Sequence, residues 1–267
     1  MPVINTNISA TLTANALTKN ERAMSQSMER LSTGLRINSA ADDAAGLAIS
    51  SKMTSQINGL NQAVRNANDA ISMIQTADGA YIEIGNMLQR MRELEVQAAN
   101  GTNSTTDVTN LDVEYTALGN AIDAIVTNTE WNGGNILDGT AAAAVFTIGA
   151  NAENVTVAFG DGDAAGGALA LATVAIATGT LTTIDNALAA VNSQRATFGA
   201  AINRLEYTVD NLTNASQNQS ASRSRIQDAD YASETTELAR TQIIQQAGTA
   251  MLSQANQQAQ SVLALLK

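Results

Sequence analysis

The sequence predicts a mainly α chain: a long antiparallel helical rod or coiled-coil bundle, a small β-hairpin region, and terminal helices paired into a coiled coil. Three observations carry this. Apolar residues recur at alternating steps of three and four along most of the chain, the signature of a helix seam. The core formers are Ala, Leu, Ile, Val and Met, with 45% hydrophobic and only 3% aromatic residues. Alternation of period two is confined to one stretch in the middle.

From Ile49 the stripe runs Met53, Ile57, Leu60, Val64, Ala67, Ile71 and Ile74 to Tyr81 and Leu88, with Asp78 and Gly85 falling on it as interruptions. A helix continuing to about Ala99 is roughly 80 Å long at about 1.5 Å per residue. The run Asn100 to Asp107 has turn composition, and Thr106 or Asp107 can cap the helix that follows. That helix carries Leu111, Tyr115, Leu118, Ile122 and Ile125, and so short a loop folds it back antiparallel. Ile184, Leu188, Val191, Phe198, Ile202, Leu205, Val209 and Leu212 make a third seam, with Arg195 its one charge.

In the middle, Asn132 to Asn135 and Leu137 to Gly139 are turn signals, and the segments from Val145 to Ile148 and Val155 to Phe159 alternate as a β-hairpin. The Gly/Ala/Asp-rich stretch from Gly160 to Thr180 reads as a loop. At the ends, Ile4, Ile8, Leu12, Ala16, Met24, Met28, Leu31 and Leu35 keep helical spacing, as do Leu238, Ile244, Gly248, Met251, Ala255, Ala259, Val262 and Leu266. Each stripe is too thin to be stable alone, so the two are expected to pair and to offer leftover apolar area, including Leu263, to other copies.

Composition excludes several chemistries. With no Cys and no His there is no disulfide framework, no thiol chemistry, no zinc site of the usual ligands and no His-based triad, so no cofactor and no enzyme is expected. Fourteen Lys+Arg against 25 Asp+Glu give a net charge of −11, a poor partner for nucleic acid. No run of about 18 apolar residues predicts membrane insertion. The first residues lack a basic and an apolar region, so a general secretory signal is not expected, which leaves a dedicated export route open. Asp42 and Asp43 are adjacent carboxylates, but neighbours on a helix start point in different directions, which favours capping and salt bridges over acid–base work. Gly34 and Gly46 are read as turn glycines bounding that segment.

The stretch from Leu31 to Ser50, LSTGLRINSAADDAAGLAIS, resembles the N-terminal signature of bacterial flagellins, and the likeness continues through TSQINGLNQA at Thr54 to Ala63, RNAND at Arg65 to Asp69 and LQRMREL at Leu88 to Leu94. SASRSRIQDADY at Ser220 to Tyr231 and IQQAGTAMLSQAN at Ile244 to Asn256 are similar to the matching C-terminal region. Residues 1–139 and 180–267 are thus covered. At Ala259 many members carry proline, so the last helix is expected to run on unbroken.

The resemblance implies a filament subunit of short form, without large outer domains, that self-assembles into the helical bacterial flagellar filament for motility. In family terms, residues 1–44 are the N-terminal part of an inner core domain and a connector. Residues 45–139 are rod-domain helices, 140–179 a short β-hairpin and variable surface segment, 180–224 the C-terminal rod helix, and 225–267 the C-terminal connector and inner core helix. It implies assembly contacts at Ile4, Ile8, Leu12, Leu31, Leu35, Met251, Val262, Leu263 and Leu266. It implies connector roles for Arg36, Asp42, Asp43, Arg223, Arg225 and Asp228. Gln89, Arg90, Glu93 and Leu94, with Glu114, are similar to a patch that serves packing between subunits and recognition by a host Toll-like receptor, although Glu95 stands where many members have Ala. Other implied partners are further copies of the chain, an export chaperone, and filament cap and junction proteins. The implied route is unfolded export by the flagellar type III apparatus to an extracellular filament. A hook–filament junction protein, or a free α-helical scaffold or adhesin, is the alternative.

Overall fold

The computed structural model describes residues 7–139, 144–149, 153–159 and 180–264; the side chains of 180 and 258–264 lie outside that description. Five helices account for most of it: α1 (Ile8–Thr33), α2 (Ala44–Ala98), α3 (Thr105–Asn128), α4 (Thr180–Gln227) and α5 (Tyr231–Ala264). Four short strands lie between α3 and α4: β1 (Glu130–Trp131), β2 (Gly134–Asn135), β3 (Ala144–Thr147) and β4 (Asn154–Val157). The chain forms two compact units, one of residues 1–55 with 218–267 and one of 56–217.

In the unit of 56–217, α2, α3 and α4 close over one apolar core. Arg90–Glu114 ties α2 to α3, while Arg92–Asp185 and Arg195–Asp78 tie α2 to α4, the last two in antiparallel order. The seam on α2 is Ala63, Ala67, Ala70, Ile74, Ala77, Tyr81, Ile84, Leu88 and Met91, every one buried. The expected stripe therefore shares Ala67, Ile74, Tyr81 and Leu88 with the real one, and its Ile57 and Leu60 are buried as well. It lies one residue off at Val64, Ile71, Asp78 and Gly85, where the buried side chains are Ala63, Ala70, Ala77 and Ile84, three of them alanines that a hydrophobic pattern weights too little. Small side chains let neighbouring helices approach. Asp78 is consequently not an interruption: it flanks the seam and its Oδ1 accepts from Arg195 Nε at 2.9 Å, so the two charges that looked misplaced satisfy each other.

Helix α3 is capped by Ser104, not by Thr106 or Asp107. The Ser104 hydroxyl accepts from the Asp107 amide while the Asp107 carboxylate accepts from the Ser104 amide at 2.9 Å, a reciprocal capping box. Those bonds to Ser104 hold the Asp107 pKa below its ordinary value. The turn signal at Asn132 and Gly133 is itself a tight hairpin: both residues have positive φ, 51° and 78°, and β1 pairs antiparallel with β2. The β3–β4 hairpin forms as expected, with Phe146 opposite Val155. It delivers Ile148, Val155, Val157 and Phe159 to the core, where Phe159 packs on Phe198 and its carbonyl accepts from the Tyr81 hydroxyl at 3.1 Å. The loop read at 160–180 lies outside the described residues apart from Thr180, which opens α4.

In the other unit α1 and α5 pair antiparallel. Helix α5 passes Ala259 without a break. Gly34 ends α1 in the left-handed region at φ 72°, as a turn glycine should. Gly46 is different, since it lies in the first turn of α2 and a Cβ there would meet Asp43 Oδ2 at 2.5 Å and Ile37 Cδ1 at 2.6 Å. Close packing, not a turn, requires that glycine.

Candidate functional site

The α1–α5 pair sets polar residues among the apolar ones of its seam, and these polar residues are its most buried side chains. Asn20, Ser27 and Thr241 are buried between the helices. Asn20 Nδ2 donates to the Thr241 carbonyl at 2.8 Å and to Gln245 Oε1 at 3.2 Å. Toward one end Arg30 pairs with Glu234 at 3.0 Å, and at the other the Asn7 side chain caps α1 and donates to the Ala255 carbonyl at 3.1 Å. Leu17 fits over Gly248, whose missing Cβ leaves it room. Meanwhile Ile8, Leu12, Met28, Ile243, Ile244 and Met251 are exposed, Leu12 by 72%. Of the residues expected to serve assembly, Ile8, Leu12 and Met251 lie on this open apolar face, whereas Leu31 and Leu35 are half-buried. Ile4 and Leu266, and the side chains of Val262 and Leu263, lie outside the described residues. The pairing seam is thus not the Ile8–Leu12–Met28 stripe but a neighbouring one through Leu17, Asn20, Met24 and Ser27, because the partner backbone and Gln245 satisfy Asn20 there.

The connector forms around a short antiparallel contact of Leu35 with Asp228. The Arg36 amide donates to the Gln227 carbonyl at 2.7 Å, the Ala229 amide to the Gly34 carbonyl at 2.9 Å, and the Arg36 guanidinium to the Ile226 carbonyl. Asp42 accepts from the Ser39 amide and hydroxyl, the Asn38 amide and the Gln26 side chain, and the Ser39 bonds above all hold its pKa below the usual carboxylate value. Asp43 accepts from the Gly46 amide at 2.9 Å at the start of α2. Both carboxylates therefore organise backbone, and neither forms an ion pair among the described residues. Arg223 donates to the Thr54 hydroxyl at 3.1 Å, Asp228 accepts from the Ser224 hydroxyl, and Arg225 is exposed.

On α2 and α3, Arg90 forks between Glu114 at 2.9 Å and Glu93 at 3.0 Å, and the bond to Glu114 is the main cause of its raised pKa. Gln89 is exposed beside them, and exposed Val96 and Val113 add apolar area on the same two helices. Leu94 is buried in the core, so it can support this patch only from beneath. Glu95 carries a signal that spacing could not reveal. It is buried, its Oε2 has no hydrogen-bond partner, and the Tyr115 hydroxyl is likewise buried and unpartnered. Burial first, then the charges of Glu95 and Asp112, push the Tyr115 pKa up to about 12.

Residues 4–142 match the bacterial flagellin N-terminal helical region, and residues 181–266 match the bacterial flagellin C-terminal helical region. The chain belongs to the bacterial flagellin family. Among its relatives is a flagellin of Bacillus subtilis strain 168, 45% identical over 99% of this chain and 99% of that protein. A flagellin of Halalkalibacterium halodurans is also 45% identical, over 99% of this chain and all of that one. The flagellar filament 33 kDa core protein of Treponema phagedenis is 42% identical over 99% and 100%. Only the short interval between the two matched regions separates the helical blocks, consistent with a short form lacking large outer domains. As a flagellin-family chain it is a structural subunit of the bacterial flagellar filament and not an enzyme. No described helix is long and apolar enough to cross a membrane.

Proposed function

We propose that residues 1–44 and 225–267, which lie within the unit of 1–55 and 218–267, join copies into the filament core, and that residues 45–139 and 180–224 form the rod. The observation that supports this is the α1–α5 pair, which buries Asn20, Ser27 and Thr241 while Ile8, Leu12, Met28, Ile243 and Met251 stay outside. Burying each such apolar side chain is worth about 1.5–3 kcal/mol, and on a single chain that gain is left unrealised. Neighbouring copies supply it, so assembly is coupled to the final ordering of the ends. The segment boundaries at 44/45, 139/140, 179/180 and 224/225 belong to the same proposal.

Export unfolded through the flagellar type III apparatus suits a chain with no Cys and a single Pro, since neither disulfide exchange nor more than one prolyl isomerisation can delay refolding. The C-terminal tail is the segment offered to an export chaperone, and the filament ends meet cap and junction proteins. Arg90, Glu93 and Glu114, with Gln89 alongside, are offered to neighbouring rods and to a Toll-like receptor of a host. A variant lacking residues 262–266 tests the assembly reading. It is expected to remain a soluble helical protein that makes no filaments in seeded electron microscopy; long uniform tubes from that variant would refute it.

A further inference from the structure

The sequence contains three Asn-Gly pairs, Asn58-Gly59, Asn100-Gly101 and Asn132-Gly133, and the fold places them in three different backbone settings. Asparagine before glycine is chemically labile because the following amide nitrogen can reach the side-chain carbonyl when no Cβ obstructs it and the backbone can rotate. Asn58 and Gly59 lie inside α2, where the glycine amide is engaged in the helix ladder. Asn132 and Gly133 form the β1–β2 turn, fixed by Trp131 opposite Gly134 and by Asn135, which donates to the Val126 carbonyl and accepts from the Leu137 amide. Asn100 and Gly101 lie in the exposed loop between α2 and α3. There the Gly101 amide donates no backbone hydrogen bond, and the Asn100 carboxamide has no hydrogen-bond partner among the described residues.

We infer that Asn100 is a site of spontaneous covalent modification, converting to aspartate and isoaspartate faster than either of the other two Asn-Gly pairs. The Gly101 nitrogen attacks Asn100 Cγ and forms the new C–N bond. The Cγ–Nδ2 bond breaks, and ammonia leaves with the proton that the Gly101 amide gives up. Water then opens the resulting five-membered imide at either carbonyl, leaving a carboxylate on a normal backbone or on one lengthened by a methylene. No oxidant or other co-reactant is needed. Either product puts a negative charge just past the C-terminus of α2, where the helix already presents partial negative charge, and the isoaspartate also lengthens a loop in which Asn103 donates to the Gln97 carbonyl at 2.6 Å.

Peptide mapping by mass spectrometry of the full chain, incubated folded at mildly alkaline pH, tests this. Asn100 is expected to convert at least about tenfold faster than Asn58 and Asn132, since both of those must first open locally. In denaturant the three rates are expected to converge, because the fold creates the difference. Gly101→Ala is expected to slow conversion at Asn100 without disturbing the fold, since a Cβ at 101 meets nothing within 4 Å and the residue is not at positive φ. Equal rates in the folded chain, or an Asn100 lead that persists in denaturant, would overturn the inference.

Discussion

Within residues 56–217 the helices close over Ala67, Ile74, Ile84, Leu88, Ile122, Ile184 and Phe198, all essentially inaccessible, whereas the pair α1 and α5 encloses Asn20, Ser27 and Thr241 and leaves Leu12 and Met251 in solvent. Both regions are made of amphipathic helices at the same spacing. What separates them is which stripe is used inside the chain. On the proposed function, the polar side chains set into the α1–α5 seam fix how the two ends align, while the exposed apolar stripe is kept for contacts that one molecule cannot make. Buried polar residues in a helix seam act in just this way elsewhere, setting register at a cost in stability.

The same kind of truncation should therefore do opposite things in the two regions. Phe198→Ala, which removes a ring packed on Tyr81 and Phe159, is expected to cost about 3–5 kcal/mol in denaturant unfolding. Leu12→Ala should leave monomer unfolding within about 0.5 kcal/mol while strongly raising the concentration needed for polymerisation, measured by sedimentation. Equal monomer destabilisation by the two would erase the distinction.

Asn20→Leu sharpens the comparison from inside the seam. The Thr241 carbonyl and Gln245 lose a donor, but an apolar residue fills the site, so thermal stability of the α1–α5 pair should hold or rise, while a single alignment of the two helices, read by NMR or by cross-linking, should give way to several. Retention of one alignment would show that register is set elsewhere.

Much of this is legible in the amino-acid sequence. The heptad seams of α3 and α4 and the β3–β4 hairpin follow from spacing and turn residues alone, and the continuity of α5 from Ala259 standing where many members of the resembled family carry proline. The seam of α2 is only partly legible, because Ala63, Ala70 and Ala77 look neutral in a hydrophobic count yet are the residues over which helices approach. The choice between the Ile8 stripe and the Asn20 stripe was not legible, since it depends on a carbonyl and an amide from a helix more than 200 residues away. The Arg90–Glu114 contact likewise joins two helices that sequence spacing cannot align; the family resemblance implies only that the two residues share a patch.

A smaller effect concerns the core of 56–217. The Tyr115 hydroxyl is buried without a partner, and its pKa is raised from 10.0 to about 12. Above pH 10 the unfolded chain ionises this group while the folded chain does not, so its contribution, intact below pH 10, is lost as pH climbs toward 12. Tyr115→Phe should flatten that part of the stability profile and be neutral or slightly stabilising at pH 7. Smallest of all, removing the Asp78–Arg195 pair should cost about 0–1 kcal/mol, since both side chains are partly exposed.

The most direct measurement of the central claim is amide hydrogen exchange on the free chain and on the assembled filament, resolved by segment. The account predicts that amides of α2, α3 and α4 within 56–217 are protected in both states, while those of α1 and α5 exchange readily in the free chain and become protected on assembly. Strong and unchanged protection of α1 and α5 in the free chain would contradict it.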